Sequence, residues 1–568
     1  MKLLQKILNH KFWWAGIIAM FALILFISSL LHTKIDLTKE KRYTLSPSTK
    51  KLLGKLNEEV EIDVYLTGNL SSGFRKLKIA ADELLENYRD YSNGNLHYKF
   101  IKPDAGMDDS AKALLYDSLV RIGIKPFNNK EYTNDEKSER WIFPSALVKY
   151  KDKMLAVDLM SGKSGMDEES TLNYSEALLE FKFDDAINKL TKTEFPVVAY
   201  AAGNGEPLNP SVRDLFEIMR TNYRFGVMDL NTGVLNADTI KALMIVKPSI
   251  AFTEQEKIKI DQYIMQGGKV IWCIDKLYAE FDSLLRAKSD FVAFDKNLNL
   301  EDQLFKYGVR INSDLLQDIN SAKQPLIVGN AGGKPQIERL PFPYYPLLST
   351  ASDNPIAKNL DHVLSIFPSS IDTVKATGII KTILLASDTN SRTISTPAIV
   401  SLQSVKSEED MRTFTKGHVP VAVLLEGKFS SLYANRFSRE MLDSMQHLTG
   451  IDFLPTAARP SKQIVLSDAD IVTNVVTQTQ GALPMGMQQF ENYQFANREF
   501  LLNCMDYLVG NAGILETRNK DLTLRILDKN KIQEEKTLWQ LINILLPILL
   551  VLLIGGIIQW QRKKKYAA

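Results

Sequence analysis

Two long stretches of this chain carry no charge, and they lie near its two ends. Phe12 to Leu31 reads FWWAGIIAMFALILFISSLL, and Leu538 to Trp560 is a second apolar run. At about 1.5 Å of rise per residue, about twenty such residues cross a hydrocarbon core of roughly 30 Å. Trp13 and Trp14 stand at the entry of the first run, and Trp539 and Trp560 bracket the second. Indole rings favour that headgroup level, and a membrane helix tolerates an internal proline such as Pro547. Both runs are therefore predicted as transmembrane helices. The first exceeds the apolar core of a secretory signal, and no small-x-small cleavage site follows it, so it reads as an uncleaved anchor. Arg562, Lys563, Lys564 and Lys565 follow the second run directly and place that end in the cytoplasm. Two spans put both termini on one side, so residues from about 33 to 537 are expected outside the cytoplasm.

Between the spans, strand and helix patterns alternate. Val60 to Leu66 alternates apolar and polar residues, and Leu77, Ala81, Leu84, Leu85 and Tyr88 fall on one helical face. His97 to Ile101 reads as a strand, and Asp108 to Arg121 as a helix closed by Gly123. Two strands, Ala146–Tyr150 and Met154–Leu159, are joined by a short Lys-Asp-Lys turn. Asn173 and Glu176 have the spacing of a capping box, opening a helix that buries Leu179, Phe183, Ile187 and Leu190. The order βαβα then ββα is that of a thioredoxin-like domain. Its first loop, Thr67 to Gly73, holds no cysteine, so redox chemistry is not expected there.

From about Phe195 the strands become continuously apolar, as strands covered on both faces do. Pro196–Ala201, Gly226–Leu230, Lys241–Val246 and Val270–Ile274 are predicted strands, with a helix over Ser211–Asn222. Thr253 and Glu256 form a capping box whose helix stops at Gly267-Gly268. This pattern predicts a doubly wound, flavodoxin- or amidotransferase-like parallel sheet. The proline-rich stretch Gln324–Pro355 reads as loop or extended arms, Val421–Leu425 and Ile464–Leu466 as strands, and Glu491–Leu508 as an amphipathic helix. The fold class is thus α/β, with two terminal transmembrane helices. The predicted division is a cytoplasmic stub and first span (1–33), a thioredoxin-like domain (34–192) and a doubly wound α/β domain with a loop-rich insertion (193–512). A juxtamembrane linker (513–537), the second span (538–560) and a basic tail (561–568) complete it.

Composition narrows the function. With 69 basic and 67 acidic residues the net charge is +2, which gives no electrostatic reason to expect nucleic acid. Two cysteines in 568 residues exclude a disulfide framework. Cys273 sits in the apolar strand Val-Ile-Trp-Cys-Ile and Cys504 on the amphipathic helix, both core positions. The six histidines show no ligand spacing, and no Gly-x-Ser-x-Gly elbow is present. Ser161-Gly162-Lys163-Ser164-Gly165 resembles the end of a phosphate-binding loop, but Val157 stands where the first glycine must be. The acidic pairs Asp184-Asp185 and Glu168-Glu169 read as solvated faces or helix starts. No catalytic, metal or cofactor site is expected. One ligand-binding candidate remains: Gly203, Asn204, Gly205 and Glu206, beyond the carboxyl end of a strand, where ligands of open α/β sheets bind. The plainer account of these residues is a tight strand-to-helix turn that needs glycine.

Several short segments occur in a characteristic order: Arg42-Tyr43-Thr44-Leu45-Ser46, Tyr174-Ser175-Glu176-Ala177-Leu178-Leu179-Glu180, Gly203-Asn204-Gly205-Glu206, Gly267-Gly268-Lys269-Val270, and Asn497 to Asn503. In these the chain resembles, over nearly its whole length, the gliding-motility-associated auxiliary (so-called substrate-binding) subunit of bacterial ABC transporters, the GldG type of Bacteroidota. Relatives often carry a His-Gly-Glu-like turn where this chain has Asn204-Gly205-Glu206, and the missing histidine argues against catalysis there. The resemblance implies a non-catalytic, two-pass subunit of the bacterial inner membrane with both termini cytoplasmic and its bulk in the periplasm. It would work beside a separate permease and, through it, a separate cytoplasmic ATPase, in a system linked to gliding motility and protein secretion. The alternative is an envelope receptor that binds a small molecule or glycan at residues 203–206.

Overall fold

Ser46 and Pro47 open the first helix of the computed structural model, α1 (Pro47–Leu53). The Ser46 hydroxyl accepts from the Thr49 backbone N–H, and proline suits the first turn. The structure describes residues 44–566 apart from 105, 134–135, 281–283, 285–289, 332–333, 402–407, 435, 437–451, 511 and 518–528, and before them only 18, 20–23 and 26. The first predicted span, residues 12–31, therefore lies essentially outside the described residues. The chain divides into two units, Met1–Lys520 and Asp521–Ala568.

The first lobe follows the expected order. Strand β1 (Val60–Val64) leads to helix α2 (Ser72–Tyr91), strand β2 (Leu96–Phe100) and helix α3 (Asp109–Arg121). A hairpin that the sequence pattern did not reveal, β3 (Phe127–Thr133) and β4 (Glu136–Ile142), comes next. Strands β5 (Ser145–Tyr150) and β6 (Lys153–Asp158) and the long helix α4 (Glu168–Thr191) complete the lobe. The sheet order is β2-β1-β5-β6, with β1 parallel to β2 and antiparallel to β5. Phe74, Leu77, Ala81, Leu85 and Tyr88 of α2 meet Leu179, Phe183 and Ile187 of α4 in its core.

Two expectations fail here. Helix α4 is capped by Asp167, whose side chain accepts from Ser170 N, and Asn173 lies inside the helix with its Oδ1 on Lys76 Nζ at 2.8 Å. Glu168 and Glu169 fill the first turn, where the helix dipole favours negative charge. Asp184 is fully buried and accepts from the Tyr88 hydroxyl at 2.5 Å, so it is no solvated face.

In the second lobe, strand β7 (Val197–Ala202), helix α5 (Arg213–Asn222), strand β8 (Arg224–Asp229), strand β9 (Ile240–Val246), helix α6 (Glu254–Met265) and strand β10 (Val270–Cys273) succeed one another. Further on come β11 (Ser321–Ala331), β12 (Lys334–Thr350), β13 (Ile379–Ala386), β14 (Pro420–Gly427), β15 (Ser461–Leu466) and the helices α7 (Asn497–Val509) and α8 (Ala512–Thr517). All these strands share one large sheet, in the order β11-β12-β13-β14-β15-β10-β9-β7-β8. Its strands alternate faces with period two. Val270 and Trp272 of β10 face the core beneath α6, while Ile271 and Cys273 face the one beneath α5 and α7.

The sheet is not parallel throughout. Neighbours from β15 to β8 are parallel, but β14, β13, β12 and β11 continue it antiparallel. The stretch read as loop or extended arms is the long hairpin of β11 and β12. Its prolines belong to an arm at the outer edge of the sheet, with Lys323 opposite Pro341 and Asn330 opposite Pro335. A strand with one open side tolerates residues that cannot donate. Helix α7 starts at Asn497, later than expected, because Tyr493–Gln494 pairs with Met487–Gln488.

The Thr253–Glu256 capping box is present in full: Thr253 Oγ1 accepts from Glu256 N at 3.3 Å and Glu256 Oε2 accepts from Thr253 N at 2.7 Å. Thr253→Ala is expected to lower the unfolding free energy by about 1 kcal/mol in a urea titration, and Thr253→Ser by less. In the second unit, helix α9 (Lys529–Tyr566) contains the second predicted span. Among the described residues it is the one helix long and apolar enough to cross a membrane, over Glu535–Lys564.

Candidate functional site

Strands β7, β9, β10 and β15 run in one direction, so the loops after them meet at one end of the sheet. In chain order the five parallel strands lie 2-1-3-4-5 across the sheet, and the winding reverses between β7 and β9. Loops on either side of such a switch point diverge and leave a crevice at the carboxyl ends of the strands. A cleft of about 710 Å³ lies there, lined by Gly205, Lys247, Ser249, Asp470, Gln324 and Tyr345 among others.

The four candidate residues follow β7. Gly203 and Gly205 have φ of 122° and 77°, and a Cβ on Gly205 would come within 2.1 Å of Ser249 Oγ. Both glycines are thus required by the turn itself. Asn204 O accepts from Ser249 N and Ile250 N, each at 2.9 Å. Asn204 Nδ2 donates to Glu256 Oε2 at 3.1 Å, and Glu206 Oε2 accepts from Asn204 N at 2.8 Å. Asn204 and Glu206 are buried, 2% and 7% exposed, and of the four residues Gly205 alone lines the cleft. Glu206 Oε1 and Asn204 Oδ1 have no hydrogen-bond partner among the described residues. Burial pushes the Glu206 carboxyl up to about 7, with Glu256 and Asp229 adding to the shift and backbone N–H groups opposing it.

The charged floor of the cleft comes from the neighbouring loops. Lys247, directly after β9, has φ 51°, a left-handed conformation that is costly for a long side chain. Its Nζ lies 2.6 Å from Asp470 Oδ1 and 3.4 Å from Asp275 Oδ2, and Lys296 Nζ is 3.7 Å from Asp275 Oδ2. Asp275 Oδ1 also accepts from Ala469 N at 2.7 Å. Asp468 turns inward, taking Ile366 N at 2.6 Å and Asp470 N at 2.7 Å. Burial opposes the charge of Asp275, but Lys247 and Lys296 outweigh it and hold the carboxyl below its usual range. Burial, with Asp470 and Asp275 alongside, pushes Asp468 well above it. Asp470 and Asp275 overcome the burial of Lys247 and keep it firmly protonated.

Asp275, Asp468 and Asp470 present carboxylate oxygens within 4.8 Å of one another, a donor set that suits hard cations. The Lys247 ammonium already supplies positive charge against two of them. Nucleophilic chemistry finds little support. Cys273 and Cys504 are fully buried, and burial pushes both thiols well up. Ser349 Oγ and His362 Nδ1 are 3.2 Å apart, but neither residue lines the cleft. The sequence pattern pointed to the loop after β7, of which Gly205 lines the cleft, and did not point to Lys247, Asp470 or Gln324. The available signals were a lysine before Pro248 and the Asp-x-Asp after β15.

A family model described as an ABC-type uncharacterized transport system matches residues 196–504, and one for a domain of unknown function matches residues 39–149. An uncharacterized protein of Borreliella burgdorferi is 21% identical over 558 residues, 94% of this chain and 95% of its own. Among solved structures, an IFT52 N-terminal domain is 11% identical with a TM-score of 0.30, covering 55% of this chain and 97% of that one. A putative ThuA-like protein from Parabacteroides merdae is 9% identical with a TM-score of 0.27, covering 56% and 91%. Similarity at that level carries no argument about function.

Proposed function

Because the chain belongs to the family of ABC-type transport systems whose model covers most of its second lobe, we propose that it is a non-catalytic, membrane-anchored subunit of an ABC transporter. It acts beside a permease and, through it, a separate cytoplasmic ATPase, in the gliding-motility-associated branch linked to protein secretion. Residues 12–31 and 538–560 span the bacterial inner membrane, both termini are cytoplasmic and the bulk of the chain is periplasmic. Residues 34–192 are thioredoxin-like, in keeping with the β2-β1-β5-β6 sheet, and the 2-1-3-4-5 strand order supports a flavodoxin-like centre in residues 193–512.

The observation that carries this reading is α9, whose apolar side chains from Leu538 to Trp560 are exposed and followed by Arg562, Lys563 and Lys564. A second feature supports mechanical coupling. Helix α8, close before the second span, packs against α1, close after the first, and against α4. Motion imposed on either span thereby reaches the same part of the periplasmic body.

The test is a pull-down of the tagged full-length protein in mild detergent, with co-purifying chains identified by mass spectrometry. A polytopic permease and an ABC ATPase in fixed ratio are expected; recovery of the protein alone from several detergents would overturn the reading. Gly555 and Gly556 lie within α9, and glycine in a membrane helix permits a close helix contact. Gly555→Leu is expected to abolish permease recovery, and unchanged recovery counts against that contact.

A further inference from the structure

We propose that the cleft at the carboxyl ends of β7, β9 and β15 binds a neutral polyhydroxylated ligand, the class to which sugars belong, through Gln324, Lys247 and Asp470. The inference goes beyond the transporter reading and stands without it. It also moves the ligand away from the Asn204 and Glu206 side chains, which are buried and do not line the cleft.

Gln324 is the first observation. It is 4% exposed, lies on β11 and lines the cleft, yet its carboxamide makes no hydrogen bond to the described residues. Its stem is packed into the protein while the amide atoms stay open to the cleft, where a ligand can take the place of water. The amide offers a donor and an acceptor to whatever fills the cleft.

The second observation is an ion pair that lines the same cleft. An ammonium has three N–H groups, and Lys247 commits two, to Asp470 Oδ1 and Asp275 Oδ2. Asp470 Oδ1 also accepts from Thr473 Oγ1, while Oδ2 has no partner among the described residues. A fixed donor and a fixed acceptor thus stand side by side, an arrangement that two adjacent hydroxyls on one carbon skeleton match.

Charge and size select the class. Among the residues that line the cleft, Lys247 and Lys296 balance Glu280 and Asp470, so an anion meets two carboxylates and a cation meets two ammonium groups. A hydroxyl both donates and accepts, and suits all three polar groups without adding charge. Leu364, Ile366 and Phe490 supply apolar wall for the C–H face of such a molecule. The volume of about 710 Å³ is that of a small-molecule site.

The experiment uses the full-length protein in a detergent without a sugar headgroup. Maltose, cellobiose, lactose and diacetylchitobiose are each titrated to millimolar levels, with melting temperature and saturation-transfer NMR as readouts. At least one is expected to give a saturable rise in Tm of about 2 °C or more. Gln324→Leu, which removes the unpaired amide and keeps an apolar side chain of similar size, should weaken that ligand about tenfold without lowering the Tm of the free protein. Gln324→Glu, which keeps an acceptor but adds charge, is the second variant, and weakened binding is expected there too. Absence of a saturable shift from all four sugars overturns the proposal. So does undiminished binding by both variants, or stronger binding of maltose 6-phosphate or of a neutral dipeptide.

Discussion

Replacing Lys247 by methionine is expected to lower the unfolding free energy by about 3–5 kcal/mol at pH 8, and by much less near pH 4. The cause is charge left behind. Without the ammonium, Asp470 and Asp275 face each other in a largely buried cluster, with Lys296 at 3.7 Å from Asp275 as the remaining cation. Removing one partner of a buried pair costs more than the pair contributes, because the other charge stays desolvated. The pH dependence follows from the direction of each shift. In the parent protein the depressed Asp275 carboxyl contributes stability that is present above its unfolded pKa and lost as pH falls through its folded value. In the variant Lys247 no longer holds the Asp275 carboxyl down, so it takes up a proton at higher pH and the penalty fades as it neutralises. Methionine keeps the stem and the left-handed backbone of φ 51°, so the strain is common to both proteins. Urea titrations at the two pH values measure the difference. A penalty of equal size at both would assign it to packing and not to charge.

Glu206→Gln should act in the opposite sense, stabilising the protein at pH 8 by up to the order of 3 kcal/mol while leaving it unchanged near pH 4.5. The Glu206 carboxyl is raised from 4.5 to about 7, chiefly by burial. Between those values the folded state holds a proton that the unfolded chain has released. Stability contributed by this group is therefore full below the unfolded pKa and falls as pH rises through 7. Glutamine removes the titration, and its carbonyl can still accept from Asn204 N, now bonded at 2.8 Å. Its amide nitrogen takes the place of Oε1, which has no partner among the described residues, so part of the gain is offset. Asp318, raised to about 6, and Asp468 titrate with the same sign, but both remain in the variant and cancel in the comparison. The readout is the gap between the two denaturation curves from pH 4.5 to 8. Parallel curves across that window would show that Glu206 does not carry the shift.

The two substitutions also separate two meanings of a site. Residues 203–206 form a turn whose Asn204 and Glu206 side chains are buried and do not line the crevice. Lys247, Asp470 and Gln324 face the crevice and still have bonding capacity. A ligand is therefore expected to feel changes at Gln324 more than changes at Glu206.

Parts of this were legible along the chain because they depend on near neighbours. The capping box of Thr253 and Glu256 spans three residues, and the strands β7, β9 and β10 announce themselves by uninterrupted apolar runs. The site's polar contacts were not legible, since they join distant positions. Lys247 meets Asp470 across 223 residues, and Asn204 meets Glu256 across 52. The capping signal at Asn173 misled because the same residue types occur inside helices, and Asp167 with Glu168 and Glu169 made the stronger start.

By itself the sequence determined the two apolar runs and the alternation of strand and helix, because hydrophobic period and length are local properties. The tertiary structure alone decided which strands run antiparallel, since a strand shows the same period of two beside either kind of neighbour. It also decided that the proline-rich stretch is a hairpin, because an outer strand does not need every backbone N–H. And it alone brought an unpaired glutamine, a strained lysine and an aspartate from three far-apart segments to the end of one sheet, where their charges balance.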